Sequence, residues 1–285
     1  MLQMHTRMNE KLFEIIQVSG ADRIAFLQGQ FTQDIKLLSS SKILFGALCN
    51  PKGRVFATCQ LFATKDRVNI ILPASMIDHV IKRLSLYKLR SDVYIEKNKY
   101  IQSFCIQYTD SKSPFSQSIH DNQELGNIYV SHQLKRTNDI EFFIYENNSD
   151  SNTIKPITHL SNDQWKAARI ANGIVDVVPD ISEKYTPHML NLDIMKGISF
   201  NKGCYIGQEI VARTEFIGKV KRRAVSYSLS SKINSRDEKF YLGEDTIGID
   251  ILSISTEMMI ALVNTSIASK KLTYKRGIAT PINTE

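Results

Sequence analysis

The stretch between residues 43 and 95 alternates short apolar runs with turn signals, and this pattern restricts the fold more than any other feature of the chain. Apolar runs of strand length occur at residues 43–48, 55–63, 68–72 and 93–95. The first two are joined by the turn sequence Asn50-Pro51-Lys52-Gly53. Apolar residues at helical spacing after Ser75 predict a helix before the last strand. The resulting β-β-β-α-β order indicates an α+β fold with an antiparallel sheet and helices on one face.

Signals in the second half of the chain predict a linker, a helix and a second region of β-structure. The Asn- and Ser-rich residues 145–156 are typical of a linker. Ser161 and Gln164 have the spacing of a capping box, which starts a helix, and Gly173 can end it. From residue 220 onward, short β runs separated by turn residues predict a small barrel or sandwich.

The composition is that of an ordinary folded protein. Of the 285 residues, 42% are hydrophobic and 23% are charged, which argues against disorder. No apolar run approaches the roughly 20 residues that a membrane-spanning helix needs. The first ten residues contain no apolar block typical of a secretory signal. We therefore expect no membrane association and a cytoplasmic location.

The formal net charge is +7, which could attract nucleic acid or an acidic partner. The positive charge is dense only at Lys219, Lys221, Arg222 and Arg223. A basic turn of this kind is usually a solvated face, and we prefer that interpretation. Contact with RNA through this cluster, in a non-enzymatic RNA- or protein-binding module, stays open at this point.

The four cysteines do not form closely spaced pairs, and no Cys or His set has zinc-ligand spacing. We therefore predict free thiols and no metal ligands. Cys59 lies in an alternating apolar strand and is interpreted as a core residue. Cys49 and Cys105 also have apolar neighbours. Cys204 differs, because polar and glycine residues surround it.

The segment 201–213 has the residue types of a functional loop. Gly203 and Gly207 flank Cys204 and permit close approach of a ligand. Lys202 lies two positions from the thiol, and a nearby ammonium group favours the thiolate form. If the residues after Gly207 form a helical turn, its N-terminal amides also favour negative charge near the cysteine. The alternative on residue chemistry alone is a cysteine that only fills space in the core.

The same segment resembles the signature of the YgfZ-type folate-binding proteins, which are relatives of the aminomethyltransferase (T-protein) of the glycine cleavage system. The matching residues are Lys202-Gly203-Cys204-Tyr205, Gly207-Gln208-Glu209 and Ala212-Arg213. Further stretches similar to the family lie at residues 26–35, 46–55, 89–93, 187–192 and 197–200. The resemblance covers nearly the whole chain and is weakest over residues 100–155 and in the C-terminal region.

The resemblance implies a fold of three domains around a central cavity that binds tetrahydrofolate. Two domains would be α+β units, one formed by residues 1–42 with 156–200 and the other by residues 43–155. Residues 201–285 would form the signature loop and a C-terminal β-barrel. The implied function is that of a folate-binding accessory protein for the assembly or maintenance of iron–sulfur client enzymes, including one that methylthiolates tRNA.

The resemblance also assigns site residues. Cys204 would be the active thiol, with Lys202 beside it. The folate contacts of the family include two aromatic positions, and aromatic rings suit the stacking of a pterin. A cation near them could meet the glutamate tail of the ligand. The predicted cofactor-binding residues are Trp165, Phe13, Arg169, Tyr205, Gln208 and Arg213.

One departure from the family bears on the reaction. In the related aminomethyltransferases, an Arg-x-Glu-Ala-Gly run supplies a glutamate that holds the pterin. The matching run here is Arg169-Ile170-Ala171-Asn172-Gly173, so Ala171 replaces that carboxylate. This counts against the alternative function of a tetrahydrofolate-dependent aminomethyl or one-carbon transferase. Whether the protein catalyses any reaction stays open in the sequence.

Overall fold

The computed structural model describes residues 12–38, 43–98 and 161–282 in full and the strand backbones of residues 101–107, 128–133 and 140–146. The strands in these ranges are antiparallel to their neighbours and form three sheets. Helices pack on the first sheet, so the mixed α+β class predicted from the sequence is confirmed. Among the described residues, every helix is too short or too polar to cross a membrane.

The first sheet has five strands in the order β2-β3-β4-β1-β5. Its strands are β1 (Phe13–Ser19), β2 (Leu44–Cys49), β3 (Val55–Thr64), β4 (Arg67–Pro73) and β5 (Tyr94–Lys97). The four strands and the helix predicted between residues 43 and 95 are confirmed, with boundaries shifted by a few residues. The sheet combines β1 from the predicted range 1–42 with β2 to β5 from the predicted range 43–155. Hydrogen bonds therefore cross that boundary, and the division into domains stays a prediction.

Helices cover both faces of this sheet. On one face, apolar side chains of α1 (Arg23–Gln28) and α2 (Ile77–Lys88) pack against alternate residues of the strands. On the other face lies α3 (Asn162–Ala171), which brings Trp165 against apolar residues of β1, β3 and β4. Alternate residues of a strand point to opposite faces, so one sheet supplies both cores. The expectation of helices on one face only was wrong, because α3 returns to the second face from a distant part of the chain.

The predicted capping box of α3 is confirmed. The Ser161 hydroxyl accepts a hydrogen bond from the Gln164 backbone N–H, and the Gln164 side chain accepts one from the Ser161 N–H. The helix ends at Ala171, and Gly173 follows with a φ of +72°, as expected of a helix stop. The first two residues of the linker predicted at 145–156 belong instead to the strand Ile140–Glu146, and residues 147–156 lie outside the described residues.

The C-terminal region is a seven-stranded antiparallel sheet in the order β11-β10-β14-β15-β9-β13-β12. Its strands are β9 (Arg222–Leu229), β10 (Phe240–Leu242), β11 (Asp245–Ile247), β12 (Asp250–Ile254), β13 (Met258–Asn264), β14 (Leu272–Tyr274) and β15 (Gly277–Pro281). Within the described residues β11 and β12 are the two edges, so the region is an open, curled sheet where a closed barrel or a sandwich was predicted.

The remaining described elements are short or peripheral. A three-stranded sheet in the order β6-β8-β7 consists of β6 (Ile101–Gln107), β7 (Ile128–Gln133) and β8 (Ile140–Glu146). Short 3-10 helices occur at Ile35–Leu37, Ala74–Met76, Pro179–Ile181 and Thr265–Ile267. The last described α-helix, α4 (Gln208–Phe216), begins directly after residues 201–207, which are called the signature loop below. This helix leads into β9. The signature loop therefore lies between the first sheet and the C-terminal sheet in the chain.

Candidate functional site

Lys202 anchors the signature loop to the last residue of α1 and to the segment that follows this helix. Its ammonium group donates hydrogen bonds to the carbonyl oxygens of Gln28 at 2.7 Å, Phe31 at 2.6 Å and Gln33 at 2.8 Å. These bonds use all three ammonium hydrogens. The ammonium also lies 5.1 Å from the centroid of the Tyr205 ring. Burial lowers the pKa of Lys202 to about 8, while the negative charge of Asp34 opposes that shift.

Two glycines let the start of α4 touch the turn of the β2–β3 hairpin. Gly207 has a φ of +82°, and a Cβ at this position would lie 2.4 Å from the carbonyl oxygen of Asn50. Gly53 has a φ of +66°, and its Cβ would lie 2.8 Å from the Cβ of Ile210. Any side chain at either position would therefore separate the two backbones. The turn predicted at residues 50–53 thus positions the loop that precedes α4.

The residues around Cys204 are held in place while the cysteine itself faces solvent. Tyr205 is buried, and its backbone N–H donates to the Gln208 side-chain oxygen at 3.2 Å. The backbone N–H of Ile206 donates to the carbonyl oxygen of Gly29 at 3.3 Å. Cys204 is exposed, as is Gly203, which has no other part of the chain within 4 Å of a Cβ placed on it. The fold therefore presents the thiol on a loop that is anchored on both sides.

The other described cysteines have the opposite environment. Cys49 lies in β2 and Cys59 in β3, and both are buried. Burial raises the pKa of Cys49 to about 12, opposed only in part by the positive charge of Arg83. Burial also raises the pKa of Cys59. The core role predicted for Cys59 is confirmed. Since the thiolate is the reactive form, neither buried thiol suits chemistry with a partner.

Phe13, Trp165 and Arg169 form one cluster on the face of the first sheet that α3 covers. The rings of Phe13 and Trp165 meet edge to face with centroids 6.2 Å apart. The Arg169 guanidinium lies 5.1 Å from the Phe13 centroid and 5.3 Å from the Trp165 centroid. Trp165 is only 2% exposed, whereas Phe13 is half-buried. Phe13 of β1 is thus brought together with Trp165 and Arg169, which lie four residues apart on α3.

The charge of Arg169 already has a partner inside the protein. Its Nε and Nη2 both donate to the carboxylate of Asp176, which lies seven residues further along the chain. The Arg169 side chain is 4% exposed and that of Asp176 is 23% exposed. The sequence interpretation gave Arg169 to a ligand and did not include this pair. Asp176 therefore fixes the cation that holds the two aromatic rings.

The remaining predicted cofactor-binding residues are Tyr205, Gln208 and Arg213. They lie near Cys204 in the sequence, in the loop that leads into α4 and in α4 itself. Gln208 begins α4 and is bonded to Tyr205 as described above. Arg213 lies in the last turn of α4 and is exposed. Burial raises the pKa of Tyr205, with a smaller effect of the same sign from Cys49. The predicted site residues therefore occupy two places: the aromatic cluster at α3 and the loop that leads into α4.

A partly buried network that the sequence interpretation missed connects α4 to β9, because the carbonyl oxygen of His188 accepts a hydrogen bond from Arg223 at 3.0 Å. His188 Nε2 lies 2.9 Å from a carboxylate oxygen of Glu215 in α4. Arg223 in β9 donates to both carboxylate oxygens of Asp193, at 3.0 and 2.7 Å. Burial alone would raise the pKa of Asp193, but the hydrogen bonds and charge of Arg223 outweigh it and keep the pKa below its usual value.

The ligand atoms of His188, Asp193 and Glu215 lie within 4.8 Å of one another, a spacing that could hold a metal ion. However, Arg223 places a positive charge on Asp193, and His188 already bonds Glu215. The group is therefore better described as an internal ion pair between Arg223 and Asp193 beside a hydrogen bond between His188 and Glu215.

Half of the predicted basic cluster is used for internal contacts. Arg222 donates to Asp250 at 3.0 Å and to the carbonyl oxygen of Leu262 at 3.2 Å, and Arg223 bonds Asp193 as described. Lys219 and Lys221 are exposed. The four charges therefore do not form one continuous surface for a polyanion.

Comparison of the whole fold defines the structural class. This chain is similar to the solved structure of the glycine cleavage system aminomethyltransferase T from Bartonella henselae, with a TM-score of 0.70 and 14% sequence identity. The match covers 95% of this chain and 83% of the Bartonella chain. At that identity the likeness shows the fold alone, and the chain therefore has the aminomethyltransferase T fold. No protein-family model matches the chain.

Curated relatives give the family within that class. The tRNA-modifying protein YgfZ of Colwellia psychrerythraea is 30% identical over 258 residues, which cover 82% of this chain and 73% of the relative. The tRNA-modifying protein YgfZ of Yersinia enterocolitica is 26% identical in an alignment that covers 95% of this chain and 88% of the relative. The chain belongs to the YgfZ family.

Proposed function

We propose that this protein is a folate-binding accessory factor for the assembly or maintenance of iron–sulfur enzymes, including tRNA-modifying ones, and that Cys204 is its active thiol. The observation that carries this proposal is the position of Cys204. The thiol is exposed, while Lys202 and Tyr205 on either side of it are fixed by the rest of the chain. A cytoplasmic location fits this role.

A thiol presented in this way is suited to transient binding of a metal-containing cargo. On losing its proton, the sulfur of Cys204 can form a bond to an iron atom that a client enzyme or a carrier delivers. A rigid loop lowers the entropy cost of holding the sulfur in the right direction. Because the sulfur faces solvent, a partner protein can approach it without unfolding the loop.

The aromatic cluster supports the folate part of the proposal. Phe13 is half-buried and can offer a ring face to a pterin or benzoyl group, and Trp165 and Arg169 hold its orientation. We further propose that the three-domain arrangement of the fold surrounds this place with a cavity for tetrahydrofolate. The pterin ring of tetrahydrofolate would stack near Phe13. The bound tetrahydrofolate would act as a reduced one-carbon carrier or as a structural support.

The thiol proposal is tested by replacing Cys204 with serine in a bacterial strain that lacks its own copy of the gene. Cys204→Ser is expected to abolish the recovery of tRNA methylthiolation, measured by mass spectrometry of tRNA nucleosides. Gly203→Ala is the matched control, because its added methyl group meets nothing within 4 Å. Full recovery with Cys204→Ser would show that the thiol is dispensable.

The transferase alternative has less support in the site. Position 171 in α3, where the related transferases have a pterin-binding glutamate, is a buried alanine that offers no carboxylate. We expect no one-carbon transfer from an aminomethyl donor to tetrahydrofolate, assayed by formation of methylenetetrahydrofolate. Turnover at a rate that scales with protein concentration would establish the alternative.

Direct binding of tRNA is a separate question from support of a tRNA-modifying enzyme. With Arg222 and Arg223 in internal ion pairs, only Lys219 and Lys221 of the basic cluster are exposed. We expect weak tRNA binding, measured by filter binding across a salt series. The substitutions Lys219→Gln and Lys221→Gln together should leave the binding constant unchanged. A steep salt dependence that these changes abolish would instead support direct tRNA recognition.

A further inference from the structure

Asn69 is a buried amide in the middle of β4. The residue is 1% exposed, yet neither its Oδ1 nor its Nδ2 has a hydrogen-bond partner within the described part of the chain. Its neighbours in the strand are apolar, so local sequence supplies no polar contact. Buried polar groups are nearly always paired, because an unpaired one loses its hydration without compensation. The unpaired donor and acceptor of Asn69 therefore call for a partner from outside the described residues.

The strand register places Asn69 on the face of the sheet that carries the aromatic cluster. Asn69 lies opposite Gln17 of β1 and Phe62 of β3. Ile71, two residues further along β4, points to the same face. Phe62 and Ile71 both pack in the apolar cluster that contains Trp165. The Asn69 amide is therefore an immediate neighbour of the side chains that surround Trp165.

Gln17 shows that this face can satisfy an amide when the chain provides a partner. With its side-chain oxygen toward Arg67, Gln17 accepts hydrogen bonds from Nε at 2.6 Å and Nη1 at 2.9 Å. Gln17 is buried almost as fully as Asn69. The two amides are cross-strand neighbours, but the guanidinium serves only one of them. Of the two amides, Asn69 is therefore the one whose donor and acceptor both lack a partner among the described residues.

We propose that Asn69 binds the lactam edge of the pterin ring of tetrahydrofolate; this inference rests on the proposed folate binding. An amide side chain presents one donor beside one acceptor, which matches the ring C=O and adjacent N–H of a pterin. The ring would lie near Phe13 and Trp165, where aromatic side chains stabilise a planar ligand. Asn69 would thereby supply polar recognition from β4 at a site where Ala171 of α3 offers none.

The test compares Asn69→Leu with the unchanged protein in calorimetric titrations with tetrahydrofolate and with a tetrahydropterin that lacks the benzoylglutamate tail. Asn69→Leu keeps the volume of the side chain and removes both polar atoms. We expect roughly tenfold to hundredfold weaker binding of both ligands, by similar factors, because a buried bond pair to the ring is lost. The melting temperature without ligand should stay the same or rise, because an unpaired buried amide has been removed.

Tyr227→Phe is the matched control. The Tyr227 hydroxyl is also buried and unpartnered among the described residues, but it lies in the core of the C-terminal sheet. This change should leave both binding constants unaltered. A second variant, Asn69→Val, repeats the test with a residue that suits a strand.

Each result has a distinct meaning. Failure of the unchanged protein to bind tetrahydrofolate would remove the proposed folate function and this inference with it. Normal folate binding by both Asn69→Leu and Asn69→Val would overturn the inference alone. Weaker binding together with a melting temperature several degrees lower in both variants would also overturn it, because Asn69 would then have a structural role, for example through a buried water.

Discussion

Replacement of Lys202 by methionine separates two roles for this residue, an anchor for the loop and an activator of the thiol. Methionine keeps the length and the apolar stem of lysine but cannot donate hydrogen bonds. The carbonyl groups of Gln28, Phe31 and Gln33 would then lose the donor that each has at 2.6 to 2.8 Å. No other side chain in the loop can replace an ammonium that reaches three acceptors at once.

The size of the effect follows from these contacts. A buried acceptor left without a partner costs about 1 to 3 kcal/mol, and the low end applies here because Lys202 is only partly buried. Three acceptors therefore give a loss of about 3 kcal/mol. Burial lowers the pKa of Lys202 to about 8, which shows that burying the charged ammonium costs free energy. Removing the ammonium also removes this cost, and the net loss of stability is therefore smaller. We expect a net destabilisation of about 2 kcal/mol.

The assay is urea denaturation together with the rate of Cys204 alkylation by iodoacetamide in the folded protein. If Lys202 is an anchor, Lys202→Met lowers the denaturation midpoint and the alkylation rate does not fall. If Lys202 acts mainly by favouring the thiolate, stability changes little and alkylation slows. A change in stability below about 0.5 kcal/mol would refute the anchor argument. Cys204→Ser serves as the control that assigns the alkylated residue.

Three further changes and one control, Gly203→Ala, test the local packing. Gly207→Ala should lower the free energy of unfolding, measured by urea denaturation, by about 2 to 4 kcal/mol. The cause is its φ of +82° together with a carbonyl oxygen that would lie 2.4 Å from an added Cβ. Gly203→Ala should change the free energy of unfolding by less than about 0.5 kcal/mol. Equal effects would contradict this packing. Asp176→Asn should cost about 3 kcal/mol, because Arg169 would remain buried without its counter-charge, and a loss under about 1 kcal/mol would show that water replaces it. Ser161→Ala should cost about 1 kcal/mol by removing the cap of α3, and an unchanged thermal midpoint would argue against the capping box.

Local signals in the sequence predict four of the five strands of the first sheet, all except β1, and the helices α2 and α3. The strands at 44–73 are short apolar runs separated by turn residues, and the Ser161–Gln164 pair specifies where α3 begins, so a short window contains the information. The open shape of the C-terminal sheet could not be predicted in this way. Its strands β10 and β14 have three residues each, and their pairing joins positions more than 30 residues apart.

The candidate site was predicted in part, and the reason differs from residue to residue. The motif identifies Lys202, but its three acceptors are backbone carbonyls about 170 residues away, and a carbonyl leaves no trace in the sequence. Asp176 could have been found as a partner for Arg169, because it lies only seven residues further along the chain. Asn69 also left a signal, since a single amide in the apolar strand Val68–Leu72 is unusual for a core position.

The loop itself gives the strongest reason to look for chemistry at Cys204. Lys202 holds three carbonyls, Tyr205 is buried, and Gly207 lets α4 contact the hairpin turn, so each of these residues is explained by the fold. Cys204 is exposed among them, and a serine or alanine would satisfy the same backbone. A cysteine with a packing role has the environment of Cys59, which is buried in a strand. Packing thus explains Cys59 and leaves Cys204 unexplained, and the chemistry of an exposed thiol supplies the reason that packing does not.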